Sequence, residues 1–138
     1  MRCPKRAGLI AGIFSFVAIV VAANAAVVSV AFAQSAPATS ADTAKGKALV
    51  NGDGMTLYTF DNDVKGKSNC NGQCANLWLP LIATTDASAA GDFSLITRSD
   101  GRKQWAYKNK PLYSWTKDAK PGDTTGDGVN SVWHIAAP

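Results

Sequence analysis

Leu57-Tyr58-Thr59-Phe60-Asp61-Asn62-Asp63 and Leu112-Tyr113-Ser114-Trp115-Thr116-Lys117-Asp118 are two copies of one stretch, and this duplication decides the fold. A shift of 55 residues superposes the copies without a gap. A self-match at a fixed period defines the structural unit of a chain. The sequence therefore predicts a domain of two tandem repeats. The repeat motif consists of three matched pairs: Tyr58 with Tyr113, Asp63 with Asp118, and Trp78 with Trp133.

Each copy predicts a strand that ends in a turn. Tyr58 and Phe60 are two residues apart, so their side chains lie on the same face of a strand. Asp63 follows where the strand should end, a position that favours Asp because its carboxylate accepts hydrogen bonds from turn N–H groups. Trp105 and Tyr107 show the same spacing. We expect these rings to form an inward-facing core: Tyr58, Phe60, Trp105, Tyr107, Tyr113, Trp115 and Trp133.

The acidic residues favour turns and strands over helices. All ten are Asp, and several of them adjoin Gly, a pairing typical of tight turns. We predict an all-β fold, a small sandwich or barrel of short antiparallel strands with at most one short helical turn. That turn is expected at 74–78, before Pro80. The strands are expected in hairpins 48–60 and 93–107, then at 112–115 and 132–136.

The N-terminal segment has the features of a signal peptide. Arg2, Lys5 and Arg6 precede a long apolar run that ends in Ala31-Phe32-Ala33. We expect cleavage before Gln34, with 23–25 as a second site; the run is also long enough for an uncleaved anchor. The predicted organisation is a signal peptide (1–33), a flexible leader (34–45) and one β domain (46–138), with repeats at about 46–82 and 93–138. The domain is expected in the periplasm or secreted.

Charge excludes one class of partner. Without the signal peptide the chain keeps 11 Lys and Arg against ten Asp, and no basic run remains. Nucleic-acid binding proteins concentrate positive charge on one face. We therefore expect no nucleic-acid partner, and membrane contact only through an uncleaved N-terminal segment.

The motifs together resemble a bacterial "secreted repeat" family of predicted envelope lipoproteins, marked by Tyr-x4-Asp. The resemblance covers residues 46 to 138 and implies an envelope protein with no assigned activity. Many members carry a lipobox cysteine, and Cys3 precedes the apolar run, so it cannot serve as one. The motifs are Leu57-Tyr58-Thr59-Phe60 with Asp63, Cys70-x3-Cys74-Ala75 with Trp78 and Pro80, Gly101 with Gln104 and Tyr107, Pro111-Leu112-Tyr113, Pro121-Gly122-Asp123, Gly126, and Trp133-His134.

Cys70 and Cys74 are the first candidates for chemistry. Cysteines close together normally pair in an oxidising compartment, and Gly72 between them permits a tight bend. We predict a structural disulfide. A redox dithiol remains an alternative, although its usual Cys-x-x-Cys spacing is absent. A c-type haem is excluded because the sequence has no Cys-x-x-Cys-His.

Metal binding has weaker support. The mature chain offers only His134 and Met55 beside the two cysteines, whereas copper sites of the His2Cys type need a second His. We interpret His134 as a hydrogen-bonded histidine at a strand end. The loop at 61–66 resembles a calcium loop, but Lys65 stands where an oxygen ligand belongs and Gly72 where the bidentate Glu belongs. We therefore predict no metal site and no cofactor.

Three classes of function remain, in order of preference. The first is a non-enzymatic binding or scaffolding module whose partner is an unknown envelope protein or glycan. The second is a periplasmic redox or metal-handling protein that uses Cys70, Cys74 and His134. The third is a small hydrolase, which lacks a Gly-x-Ser-x-Gly motif. No catalytic residue is predicted.

Overall fold

The computed structural model describes residues 36–138, which form nine short strands and two single helical turns. The predicted signal peptide and its cleavage sites lie outside the described residues. The helical turns are α1 (Gln73–Leu77) and a 3-10 turn (Val129–Ser131). The strands are β1 (Thr39–Thr43), β2 (Gly46–Val50), β3 (Leu57–Phe60), β4 (Trp78–Pro80), β5 (Phe93–Thr97), β6 (Lys103–Tyr107), β7 (Lys110–Pro111), β8 (Tyr113–Trp115) and β9 (Trp133–Ile135).

The strands form three antiparallel sheets. β1 pairs with β2, and β5, β6 and β7 form a three-stranded sheet. The central sheet has the order β4-β8-β3-β9. The all-β prediction with at most one short α-helical turn is confirmed, because α1 is one turn long. Within residues 36–138, none of the helices has the length and apolar character of a membrane span.

The central sheet alternates between the two repeats. β3 and β4 belong to the first repeat and β8 and β9 to the second, so every neighbouring pair joins the two. Tyr58 faces Tyr113 across the β3–β8 pair. Two further pairs are equivalent under the 55-residue shift: Trp78 of the first repeat faces Trp115 of the second, and Trp133 of the second faces Phe60 of the first. The domain therefore has an approximate two-fold axis near the Tyr58–Tyr113 pair.

The core lies on both faces of the central sheet, because successive strand residues point to opposite faces. One face carries the aromatic cluster of Tyr58, Trp78, Tyr113, Trp115 and Trp133, with Cys70. The other face carries Leu57 and Leu112, which are fully buried. These leucines pack with Leu49 of β2 and with Phe93 and Tyr107 of the β5–β6 hairpin. The prediction of an aromatic core is confirmed, with Phe60 and Tyr107 only half-buried.

The structure differs from the predicted flexible leader at 34–45. Residues 39–43 form β1, which pairs with β2 from Thr39 opposite Val50 to Thr43 opposite Gly46. This segment has no large apolar side chain, so periodicity gave no strand signal. Backbone pairing with β2 and burial of Ala38 hold it in place. The β domain therefore begins before residue 46.

The two predicted hairpins have different outcomes. The second is confirmed, because β5 and β6 pair over their full lengths. The first is wrong in its pairing: β2 meets the following segment through one bridge, between Val50 and Thr56. The main partner of β2 is β1, and β3 pairs instead with β8 and β9. Pairing of β3 with β8 and β9 buries the aromatic motif between the repeats, and this burial is more favourable than a local hairpin with β2.

Candidate functional site

The motif tyrosine of each repeat binds the motif aspartate of the other repeat. The Tyr58 hydroxyl donates to Oδ2 of Asp118 over 2.7 Å, and the Tyr113 hydroxyl donates to Oδ2 of Asp63 over 2.6 Å. The second carboxylate oxygens accept backbone N–H groups of their own loops, from Asn69 and Thr125. The predicted hydrogen bonds from turn N–H groups to the aspartates are therefore present. The tyrosine–aspartate hydrogen bonds also connect the two repeats across the two-fold axis.

Four aromatic rings, two from each repeat, form a continuous stack near the two-fold axis. Trp78 and Trp133 are parallel within 3°, with ring centroids 3.8 Å apart. Trp115 stacks on the outer face of Trp78 at 3.9 Å, and Phe60 on that of Trp133 at 4.3 Å. The rings come alternately from the two repeats. Burial of these large apolar surfaces makes the main contribution to the stability of the contact between the repeats. The six motif residues thus support the structure.

A buried arginine departs from the two-fold pattern. Arg98 is 4% exposed, and the equivalent residue in the first repeat is Thr43. Its guanidinium donates to Ser68 Oγ over 2.9 Å, to Gln104 Oε1 over 2.7 Å and to the Cys70 carbonyl over 2.8 Å. Nε has no hydrogen-bond partner among the described residues. The arginine therefore anchors the cysteine loop to the second hairpin.

The arginine network continues to the Tyr113–Asp63 pair. Ser68 Oγ lies 2.7 Å from the Tyr113 hydroxyl, which donates to Asp63. Burial raises the pKa of the Asp63 carboxyl above its ordinary value, against the opposing effects of the Asn69 amide, the Tyr113 hydroxyl and the Arg98 charge. The network therefore stabilises a partly desolvated carboxylate beside a buried cation.

The predicted disulfide is present in the structure. Cys70 and Cys74 are bonded, with Cα atoms 5.2 Å apart. Cys70 is fully buried beneath the aromatic cluster, and Cys74 is half-buried. The bond closes the loop whose Cys70 carbonyl accepts from Arg98. These contacts support a structural role for the bridge.

An open cleft lies beside the Asp63 loop. It consists of two adjoining cavities of about 300 Å³ and about 270 Å³, both lined by Thr59, Asp61, Lys108 and Lys110. We name it the cationic cleft. The first cavity adds Phe60, Asp63, Val64, Lys65, Asn109 and Pro111, and the second adds Tyr107, His134, Ile135, Ala136 and Ala137.

The lysines of the cationic cleft are available to a ligand. Among the ion pairs within residues 36–138, none involves Lys65, Lys108 or Lys110. The Lys108 ammonium group lies 4.9 Å from the Tyr107 ring centroid. The two cleft carboxylates are occupied: Asp61 lies 2.7 Å from His134 Nε2, and Asp63 accepts from Tyr113. The cleft therefore presents three lysines without an ion pair, against two aspartates that are hydrogen-bonded within the domain.

The turn between β6 and β7, which lines the cationic cleft, has an unusual backbone conformation. Lys108 and Asn109 connect β6 to β7 with φ of 46° and 67°. Such left-handed conformations are unfavourable for a residue like Lys, and Gly is the usual solution. The first repeat has Asp53-Gly54 at the equivalent positions. Non-glycine residues in strained conformations concentrate at functional sites.

The region equivalent to the cationic cleft in the other half is covered. A methyl group placed on Gly54 would lie 3.2 Å from Cβ of Pro121, so Pro121 packs directly on that turn. Gly66 stands at the position equivalent to Pro121 in the first repeat, and it has no side chain to cover the Lys108 turn. The two-fold pattern is therefore broken by an opening beside Lys108.

The structure does not bring the metal candidates together. His134 is exposed and pairs with Asp61, as expected for a strand-end histidine, whereas Met55 lies in the turn after β2. Among residues 36–138 no group of three or more His, Cys, Asp or Glu side chains is placed to hold a metal ion. No hydroxyl or thiol of the described residues is hydrogen-bonded to His134.

Sequence reasoning missed Arg98, the Asp61–His134 pair and the lysines of the cleft. Most of them are places where the repeats differ: the shift by 55 residues matches Arg98 with Thr43, His134 with Leu79, and Lys108 with Asp53. A comparison of the copies for their differences, rather than for their matches, would have pointed to these three positions. It would not have shown that His134 and Lys108 share a cleft.

A known family matches both repeats. The profile of a family described as a secreted repeat of unknown function matches residues 39–82 and 94–137, which correspond to the two halves of the fold. The chain belongs to this secreted-repeat family. Its first matched segment begins at the first residue of β1, in agreement with the structure. The family's description as secreted supports an exported location for the chain.

Comparison with other known proteins gave no further relatives. No curated protein matches the chain significantly, and no solved structure does. The secreted-repeat family has no established function. The site itself must therefore carry any functional proposal.

Proposed function

We propose that the domain is a non-enzymatic binding module of the periplasm or the extracellular space, and that the cationic cleft is its ligand site. The observation that carries this proposal is the break in two-fold symmetry. Most of the fold repeats under the 55-residue shift, whereas the cleft combines an uncovered turn with three unpaired lysines.

Energetic considerations support a role for this opening. A left-handed conformation at a non-glycine residue costs about 1 kcal/mol or more. In the Lys108–Asn109 turn this cost falls mainly on Lys108, because Asn adopts the left-handed region readily, whereas the positive-φ residue of the first repeat's turn is Gly54. The geometry that the two repeats share does not require lysine at this turn, because the first repeat has Asp53 there. A role of the Lys108 side chain in ligand binding would account for it.

Binding is favoured over catalysis by the chemistry of the cleft. Its titratable groups are lysines, one His–Asp pair and a half-buried Asp63 that is already hydrogen-bonded. Lysines without an ion pair in an open groove attract anions and orient them. A reaction of the acyl-transfer kind would also need an activated nucleophile near the base.

The proposal is tested by nuclear magnetic resonance of the isotope-labelled protein. Envelope extract and culture medium are separated into polysaccharide, protein and lipid fractions, and each fraction is added in turn. We expect amide shifts at 59–65, 108–110 and 134–137, and we expect them to decrease in Lys108→Gln. Lys120→Gln is the matched control, because Lys120 is the two-fold equivalent of Lys65. Shifts concentrated elsewhere, for example around exposed Leu77 and Leu79, or no shifts with any fraction, would contradict the proposal.

A further inference from the structure

From the lining of the cationic cleft we infer that its ligand is an acidic polysaccharide, whose sugar carboxylates bind the lysines while its rings pack on the aromatic wall. This inference rests on the proposed function, since it names the ligand class of the same cleft. Three features of the described residues carry it: the charge of the rim, the apolar wall and the closed edge of β9.

The rim selects negative charge. Lys65, Lys108 and Lys110 have no carboxylate partner among residues 36–138, and Asp61 is hydrogen-bonded to His134 over 2.7 Å. An ammonium group without a partner loses little when a ligand carboxylate replaces its water, whereas a lysine already paired would have to exchange partners. The rim therefore favours a ligand with repeated negative charges.

The wall selects a ring with an apolar face. Phe60 and Pro111 line the first cavity, and Tyr107, which has the Lys108 ammonium group 4.9 Å from its ring centroid, lines the second. Phe60 is the last ring of the four-ring stack, so its position is held by Trp133 at 4.3 Å. At the opposite end of the stack Lys117 lies over Trp115, 5.6 Å from the ring centroid, whereas the residue equivalent to Lys117 at the Phe60 end is Asn62. A pyranose ring presents C–H groups that gain dispersion energy against such a surface.

The edge of β9 disfavours a peptide ligand. Peptides commonly bind by adding a strand to a free sheet edge. On β9 the outward Trp133 carbonyl already accepts from Gly128 N–H over 2.8 Å, and the outward Ile135 N–H donates to Asp127 over 3.1 Å. Two of the outward backbone groups of β9 are therefore already bonded within the domain, which interrupts the hydrogen-bond ladder that an added peptide strand would need. This favours a ligand that binds mainly through side chains.

The cleft suits a polymer in its dimensions. Each cavity is near the lower limit of small-molecule sites, and the two are continuous through Thr59, Asp61, Lys108 and Lys110. Adjoining cavities of similar size accommodate successive units of one chain. Charge along the polymer would make binding dependent on salt concentration.

The test is calorimetric titration of the purified protein with polygalacturonate, a polymer of sugar carboxylates. Its methyl ester has the same rings without the charge. Polyaspartate and vesicles that contain phosphatidylglycerol represent acidic peptides and anionic membranes. We expect binding to polygalacturonate that weakens about tenfold in Lys108→Gln/Lys110→Gln and with added salt, and that is unchanged in Lys120→Gln.

Three results would overturn the inference. Equal binding of the methyl ester would remove the role of charge, and equal binding of polyaspartate or vesicles would remove the role of the sugar ring. A lack of binding to polygalacturonate would also reject it. In that last case, amide shifts in the cleft on addition of another envelope fraction would leave the proposed function intact, whereas no shifts with any fraction would reject both.

Discussion

At the scale of single residues, the motif tyrosines and aspartates are best understood as cross-links between the repeats. Each tyrosine hydroxyl is buried and bonded to the aspartate of the other copy. Gly126 shows how close this packing is. A methyl group at Gly126 would lie 2.8 Å from Trp78 and 2.9 Å from the Tyr58 ring, so the position has no room for a side chain.

The tyrosines lead to a prediction for alkaline pH. Burial, and next the hydrogen bonds to Asp118 and Asp63, raise the pKa of Tyr58 and Tyr113 above the ordinary value of 10.0. The folded state therefore retains two protons that the unfolded state loses. The stability from these groups is complete below pH 10 and declines above it. Each tyrosine should lower the free energy of unfolding by about 1.4 kcal/mol per pH unit there.

The measurement is denaturant unfolding at several pH values, with phenolate absorbance followed in parallel. Tyr58→Phe/Tyr113→Phe is the matched variant, because it keeps the rings and removes the titrating hydroxyls. We expect the steep loss of stability above pH 10 in the wild type only. Ionisation of both tyrosines near pH 10 in the folded protein would contradict the prediction.

At the scale of the elements, the disulfide loop and the second hairpin act together. α1 follows Gly72 directly and is closed by the Cys70–Cys74 bond, and Arg98 at the end of β5 holds the Cys70 carbonyl. The first repeat's hairpin has Thr43 in place of Arg98, and the second repeat's loop has Thr125 and Val129 in place of the cysteines. The disulfide of the first repeat and Arg98 of the second repeat thus form one structural unit.

Loss of the bridge should weaken the domain without unfolding it. A closed loop of five residues contributes about 2 kcal/mol in the chain-entropy model, which corresponds to a fall of about 10 °C in the melting temperature of a domain this size. We expect that fall on reduction of the wild type, and no effect of reductant on Cys70→Ala/Cys74→Ala. Complete unfolding on reduction would contradict the prediction. Two free thiols in protein taken directly from its natural compartment would favour the redox alternative instead.

At the scale of the whole molecule, the domain consists of two copies of one unit whose strands and aromatic rings are interleaved. Every neighbouring pair in the central sheet, and every neighbouring pair in the ring stack, joins residues of different repeats. A single repeat has a hairpin of its own but no partner for its motif strand. Isolated two-stranded units are only marginally stable in water.

We therefore predict that neither half folds alone. Fragments 36–91 and 92–138 should each lack a fixed aromatic environment by near-ultraviolet circular dichroism, because the tryptophans lose their stacking partners. An equimolar mixture should recover the signal of the intact domain. A fragment that folds as a monomer would contradict the prediction, and Trp78→Ala in the first fragment should prevent recovery in the mixture.

By itself, the sequence determined the repeat, the all-β class, the aromatic core and the second hairpin. These features depend on local patterns: the 55-residue period, side chains that alternate every two residues, and Asp and Gly at turns. The pairing of Cys70 with Cys74 also followed, because the two residues are close in the chain.

Only the tertiary structure decided which repeat each strand pairs with. A strand next to a turn predicts a local hairpin, but burial of Tyr58 and Trp78 against Tyr113 and Trp133 favours exchange between the repeats. β1 was missed since its stability comes from backbone pairing rather than from apolar side chains. The cationic cleft also depends on tertiary structure: Asp61 and His134 are 73 positions apart in sequence, and their contact exists only because β3 pairs with β9.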